Sequence, residues 1–245
     1  MAVTKYQKEY FIRSYECDKH GNLRLLTLMN ILQDAADSHA DALGLGYEYC
    51  VARKLAWVAA NYHVKIFRAP KIHEPVIITT WPSEERKLSV VRDYEMTDNE
   101  GNVLVQASTQ WVLINIENKR PQAIRANLPE YQVVAEKADN YEFTKINLPE
   151  NFELNKELDV RFDDIDVNNH VNNAVYPLWV SESVSPEFRD QHAITELEIA
   201  FKKESFLGET IKVATAFDGL KSYHELTSDS DGREVARAFV IWAEI

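Results

Sequence analysis

A chain of 245 residues with 45% hydrophobic content can bury one large core or two small ones. Its net charge of −12 opposes nucleic-acid binding, which needs a basic surface, and no apolar run approaches membrane-spanning length. Cys17 and Cys50, far apart and in no metal-ligand spacing, indicate neither a disulfide framework nor a zinc site. The N-terminus lacks the basic-then-apolar layout of a signal peptide, so the cytoplasm is the default expectation.

In chain order, the first element is a polar lead, Arg13-Ser14-Tyr15-Glu16-Cys17-Asp18, followed by a helical stripe of Leu25, Leu28, Met29, Leu32, Ala35 and Ala36. The spacing predicts a helix over Leu25 to Leu43 that stops at Gly44 and Gly46. Strands are expected at Leu55 to Arg68, Val76 to Trp81, Lys87 to Thr97 and Val103 to Asn115, all rich in β-branched and aromatic residues. Asp98-Asn99-Glu100-Gly101 reads as a hairpin turn between the last two. From Glu117 to about Pro149 the periodicity weakens, charges accumulate and Pro121, Pro129 and Pro149 intervene, which reads as a tether.

The same order then repeats. Arg161-Phe162-Asp163-Asp164-Ile165-Asp166 leads into a second helix with Val175, Leu178, Trp179 and Glu182 on one stripe, and Pro177 places its start within a turn of that proline. Strands follow near Thr195 to Lys203, Glu209 to Phe217, Ser222 to Ser228 and Glu234 to Glu244, with Asp229-Ser230-Asp231-Gly232 as the matching turn. At one constant offset Arg13 pairs with Arg161, Asp18 with Asp166 and Asn22 with His170. A long repeat of this kind implies two duplicated domains, residues 1–150 and 151–245, rather than a solenoid.

The second copy carries the most chemistry. Asp166-Val167-Asn168-Asn169-His170-Val171-Asn172-Asn173 packs a carboxylate, amides and an imidazole ahead of the helix. One or two such residues suffice to cap a helix, and Asn172 and Asn173 are the best placed to do so. His170 has the side chain whose ordinary pKa lies near neutrality, Glu204 or Asp166 can serve as base, and Asn168 offers an amide to orient a carbonyl or a water. In the first copy Asn22 stands opposite His170 and Ala69 opposite Glu204, so that copy lacks the polar set.

One helix followed by a long antiparallel sheet, duplicated, describes an α+β tandem double hotdog, each unit a helix wrapped by its sheet. The chain resembles the acyl-acyl carrier protein thioesterases, the plant plastid enzymes and their bacterial relatives. The resemblance rests on the Asp166 to Asn173 motif with Tyr176, Trp179, Glu182 and Ser183; on Val91-Arg92-Asp93-Tyr94; on the run from Gln106 to Asn115; and on the run from Leu197 to Ser205. The His-Val-Asn-Asn core recurs in many hotdog thioesterases, whereas the combination is far more specific.

The resemblance implies hydrolysis of the thioester that joins a fatty acyl chain to the phosphopantetheine arm of acyl carrier protein, with no cofactor and no metal. It also implies that the C-terminal unit carries the chemistry while the N-terminal unit houses the acyl chain, and that the catalytic set is Asp166, Asn168, His170 and Glu204. Plant members typically have Cys where this chain has Ser205, which favours an activated water over a covalent intermediate on that residue. An acyl-CoA substrate, a hotdog dehydratase or hydratase, and a non-catalytic acyl-binding module stay open, as does a monomer or a homodimer. For an acidic carrier protein the candidate docking cations are Arg86, Lys87, Arg92, Lys202 and Lys203, with Lys119, Arg120 and Arg125 on the tether. Trp57, Met29 and Trp81 are candidate floor residues of the acyl cavity.

Overall fold

The computed structural model describes residues 4–245. The chain forms two compact units that divide between Glu142 and Phe143, ahead of the boundary expected near residue 150. No helix among the described residues is long and apolar enough to cross a membrane.

In the first unit the apolar stripe becomes α1, Leu25–Ala42, whose Leu28, Met29, Ile31, Leu32, Ala35 and Ala36 are buried at helical spacing. It ends because Leu43 caps it and Gly44 follows with φ of 70°, a left-handed conformation that glycine adopts without a Cβ penalty. A short helix α2, Tyr47–Ala52, comes next, a segment the periodicity did not separate from its surroundings. The strands are β1 (Tyr6–Phe11), β2 (Leu55–Ile66), β3 (Pro75–Glu85), β4 (Ser89–Asp98) and β5 (Val103–Asn115). They form an antiparallel sheet in the order β1-β3-β4-β5-β2. The helix packs on β3 and β1, and fully buried Met29, Leu32, Ile78 and Met96 each contribute about 1.5–3 kcal/mol of apolar burial.

The first unit closes with the proline-rich stretch, and here the expected free tether is a strap. Short helix α3, Ile124–Asn127, precedes an extended segment pinned to the sheet. Val134 N donates to Pro82 O at 2.9 Å, Trp81 Nε1 to Glu136 O at 2.7 Å, and Ala138 N to the buried Asp93 carboxylate at 2.9 Å. Lys65 pairs with Asp139 at 2.8 Å and the Tyr141 ring stacks on His63. Arg125, a candidate partner contact, is instead paired with Glu85 at 2.6 Å.

The second unit repeats the plan with a shorter helix, α4 (Val175–Glu182), in which Pro177 sits in the first turn as anticipated. A short α5 (Pro186–Arg189) is capped by Ser185, whose side chain accepts from Phe188 N. The strands are β6 (Leu154–Asp159), β7 (His192–Phe201), β8 (Thr210–Asp218), β9 (Lys221–Ser228) and β10 (Glu234–Glu244), antiparallel in the order β6-β8-β9-β10-β7. At the centre His224 is fully buried among hydroxyls: Ser222 Oγ at 2.8 Å, Thr215 Oγ1 at 3.0 Å and Ser183 Oγ at 3.2 Å. Trp242 Nε1 also donates to Ser222 Oγ, at 2.8 Å.

Both units open with an edge strand, β1 or β6, that sequence patterning missed. Each is six residues long with exposed residues alternating along it, too short and polar to stand out from a loop.

Candidate active site

The duplication seen in the sequence is also a duplication of hydrogen bonds. After β1, Arg13 N donates to Glu16 Oε2 at 2.7 Å; after β6, Arg161 N donates to Asp164 Oδ2 at 2.9 Å. Asp18 N donates to Asn22 O at 2.8 Å as Asp166 N donates to His170 O at 2.9 Å. Leu23 N then donates to Pro70 O at 2.8 Å as Val171 N donates to Ser205 O at 2.9 Å. This framework places Asn22 where His170 stands and Ala69 where Glu204 stands, the register inferred from spacing.

In the second unit the framework serves to aim side chains. A tight turn from Asp166 to His170, with Asn169 at φ of 67°, lifts the imidazole out of the loop; asparagine tolerates this left-handed conformation better than most residues. The 2.9 Å bond from Val171 N to Ser205 O brings the segment after β7 alongside, so that Glu204 faces His170. His170 Nε2 lies 3.8 Å from Glu204 Oε1, and its Nδ1 lies 3.9 Å from Asp166 Oδ1 and 3.5 Å from Val171 O. Asp166 is held in turn by Asn168 N at 2.7 Å, while the Asn168 side-chain amide lies 3.4 Å from the other carboxylate oxygen. The structure thus assembles all four candidate residues, with Asp166, His170 and Glu204 partly buried and Asn168 exposed.

Neighbouring residues divide between support and display. Asn172 Oδ1 accepts from Ala174 N at 2.8 Å and so shapes the turn into α4, but the cap position of the helix is Ala174, with no side-chain cap bond, and neither Asn172 nor Asn173 is the cap expected from the sequence. Ser205 is fully buried and its hydroxyl makes no hydrogen bond to His170. The Tyr176 phenol beside it is pushed up to about 12 by burial and stays protonated. A serine nucleophile needs exposure and a base in contact, and Ser205 has neither. Phe162, Val167, Phe206 and Leu207 project into solvent around the site, with Lys202 and Lys203 exposed at its edge.

One of the candidate docking cations does not lie on the surface. Arg92 turns inward: its Nη1 contacts His39 Nδ1 at 2.9 Å and Thr80 Oγ1 at 3.2 Å, and burial lowers its pKa. It lines a cavity in the first unit with Ala36, Leu43, Leu45, Trp57, Val90, Trp111 and Leu128. Of the three suggested floor residues Trp57 does line this cavity, while Met29 and Trp81 are buried elsewhere in the core. Arg86 remains on the surface but is paired with Glu84 at 2.7 Å.

The N-terminal domain profile of the acyl-ACP thioesterases matches residues 3–131, and the C-terminal domain profile matches residues 149–244. The chain belongs to the acyl-ACP thioesterase family. It is 28% identical to a chloroplastic acyl-[acyl-carrier-protein] hydrolase of Cuphea viscosissima, over 97% of this chain and 62% of that protein. It is 27% identical to the chloroplastic oleoyl-acyl carrier protein thioesterase 1 of Arabidopsis thaliana, over 97% of this chain and 75% of the relative. The chain therefore spans about 62% of the length of the Cuphea relative. Among solved structures, the 12:0-ACP thioesterase from Umbellularia californica superposes with a TM-score of 0.87 at 25% identity, covering 100% of this chain and 99% of that one. A putative oleoyl thioesterase from Lactobacillus plantarum gives 0.84 at 27% identity, covering 98% and 96%. The thioesterase family fold is the double hotdog expected from the sequence.

Proposed function

We propose that this protein hydrolyses the thioester between a fatty acyl chain and acyl carrier protein, releasing the free acid, with Asp166, Asn168, His170 and Glu204 as its catalytic set. The observation that carries the reading is the facing of His170 Nε2 and Glu204 Oε1 at 3.8 Å, in a framework whose other copy has Asn22 and Ala69. That separation is too long for a direct hydrogen bond. It suits a water about 2.8 Å from each atom.

The chemistry follows from the partners. Asp166 and the Val171 carbonyl lie on the Nδ1 side of the imidazole and favour a proton there, which leaves Nε2 as an acceptor. A water between two acceptors donates one hydrogen to Nε2 and one to Glu204, and its lone pairs are left for the thioester carbonyl carbon. As the C–O bond forms, a proton passes to one of these bases; when the C–S bond breaks, that proton goes to the departing pantetheine sulfur. In this reading the Asn168 amide, only lightly tied to Asp166, orients the carbonyl as charge develops on its oxygen.

The first unit contributes the acyl site, a mostly apolar cavity walled by Trp57, Trp111 and aliphatic side chains, with Asp37 and Arg92 as charged groups in its lining. The exposed rim of Phe162, Val167, Phe206 and Leu207, flanked by Lys202 and Lys203, receives the acidic carrier protein, and the cytoplasm is the compartment we propose for the reaction. A ladder of acyl-carrier protein substrates, compared with acyl-CoA at matched chain length, tests this reading. Preferential release of free acid from the carrier-bound series supports it, and equal or greater turnover of acyl-CoA overturns the choice of donor.

A further inference from the structure

The turn that delivers Glu204 is held from a direction that the chemistry above does not use. Arg233, in the hairpin turn between β9 and β10, reaches across to it. Its Nη2 donates to the Glu204 carbonyl oxygen at 3.1 Å and to Glu209 Oε1 at 2.5 Å, while Nη1 donates to Asp231 Oδ1 at 2.9 Å and so aims the fork. The second oxygen of Glu209 accepts from Phe206 N at 3.2 Å. The Arg233–Glu209 pair therefore grips the main chain on both sides of Ser205.

The first unit has the same turn and the same glutamate, but a different arginine. Glu74 accepts from Lys71 N at 2.7 Å, as Glu209 does from Phe206 N, and is paired with Arg68 from its own side of the turn. Arg68 reaches the Ala69 carbonyl only at 3.4 Å, and Asn102, at the position of Arg233, bonds back to Asp98 at 2.9 Å. A glutamate–arginine staple thus belongs to the fold. The close anchor from the neighbouring hairpin onto the carbonyl of the carboxylate-bearing residue belongs to the second unit.

We propose that Arg233 is a positioning residue for Glu204, fixing through the main chain the gap between that carboxylate and His170. The proposal rests on the reading of Glu204 as one of the two water-activating groups. A displacement of about 1 Å at a reacting group costs on the order of 10²-fold, and a 3.8 Å gap leaves little room for drift. Guanidinium is suited to the task because Nη2 serves the carbonyl and the Glu209 carboxylate while Nη1, rigid in the same plane, is held by Asp231, an orientation that an ammonium on a flexible stem cannot fix.

The test is a double-mutant cycle on a short acyl-pantetheine thioester, with thermal unfolding of every variant. Arg233→Met is expected to lower kcat on the order of 10- to 100-fold with KM unchanged. Arg233→Lys should recover part of that loss. In a Glu204→Gln background neither substitution should cost anything further, because the group being positioned no longer acts as a base. Equal losses in both backgrounds, or wild-type kcat in Arg233→Met, would overturn the proposal. If Arg233→Met does not fold, Glu209→Gln releases the other end of the staple and carries the same expectation. Should Glu204→Gln itself turn over normally, the role of Glu204 fails and this proposal with it; that result differs from a large Glu204→Gln loss joined by an additive Arg233 effect.

Discussion

Asn22 and His170 occupy equivalent points in two copies of one hydrogen-bonded framework, and Glu204 stands across from the second where Ala69 stands in the first. The Asn22 side chain accepts from Lys71 Nζ at 2.5 Å, whereas His170 looks across 3.8 Å to Glu204. His170→Ala is therefore expected to lower turnover by ~10²- to 10⁴-fold while its circular dichroism and unfolding transition stay near wild type. Asn22→His added to His170→Ala should restore nothing, since Ala69 supplies no carboxylate. Steady-state assays of the single and double variants check both statements, and rescue by the second change would show that the first unit is catalytically competent.

The neighbouring residues Glu204 and Ser205 separate two mechanisms. Glu204→Gln keeps size and hydrogen bonding but removes a base, and should cost on the order of 10²-fold. Ser205→Ala should cost little, because the hydroxyl is fully buried and makes no hydrogen bond to His170. Intact-mass measurement of enzyme quenched during turnover decides the matter: no acyl adduct is expected, and an acyl group localised to Ser205 would establish a covalent route.

Carrier docking should depend on the rim of the second unit. Lys202→Glu with Lys203→Glu is expected to raise KM for the carrier-bound substrate and flatten its salt dependence, leaving a short pantetheine thioester unaffected. Arg92 is left out of this set because it lines the interior cavity. Parallel kinetics on the two substrates read out the difference, and matching losses on both would assign the lysines to the fold or the site instead.

Acid should destabilise the second unit through His224. Burial holds its pKa down at about 3, against 6.5 when exposed, so the folded state keeps it neutral while the unfolded chain takes up a proton below pH 6.5. The stability contributed by the neutral form is present above pH 6.5 and lost as pH falls toward 3, at about 1.4 kcal/mol per pH unit over that window. Denaturant unfolding at stepped pH should show this slope, and His224→Gln should lose it. An unchanged slope in the variant would place the proton uptake elsewhere.

The parts of this architecture that were legible beforehand are those that local physics determines. The α1 stripe, the glycine turn at Gly101, the long strands and the offset between Arg13 and Arg161 follow from periodicity, backbone conformation and repeated capping. Edge strands β1 and β6 escaped because only one side of each is paired, which leaves a polar pattern no different from a loop. The strap from Tyr131 to Tyr141 reads in the sequence as a tether because its anchors are long-range bonds to Pro82, Trp81 and Asp93. Arg92 was misplaced for a related reason: a cation beside a valine pair reads as surface until the helix carrying His39 covers it. Within the site His170 and Asp166 stand out by local density, whereas the contribution of Arg233 exists only through a hairpin distant in sequence.

The most direct measurement is release of free thiol from fatty acyl-carrier protein, followed with a thiol-reactive dye alongside quantification of the fatty acid. Wild type is predicted to release thiol and acid in equal amounts, with no change in enoyl absorbance, and His170→Ala is predicted to release neither at a comparable rate. Acyl-carrier protein left intact by the folded wild type, or conversion of a 3-hydroxyacyl chain without thiol release, would contradict the assignment of this site to thioester hydrolysis.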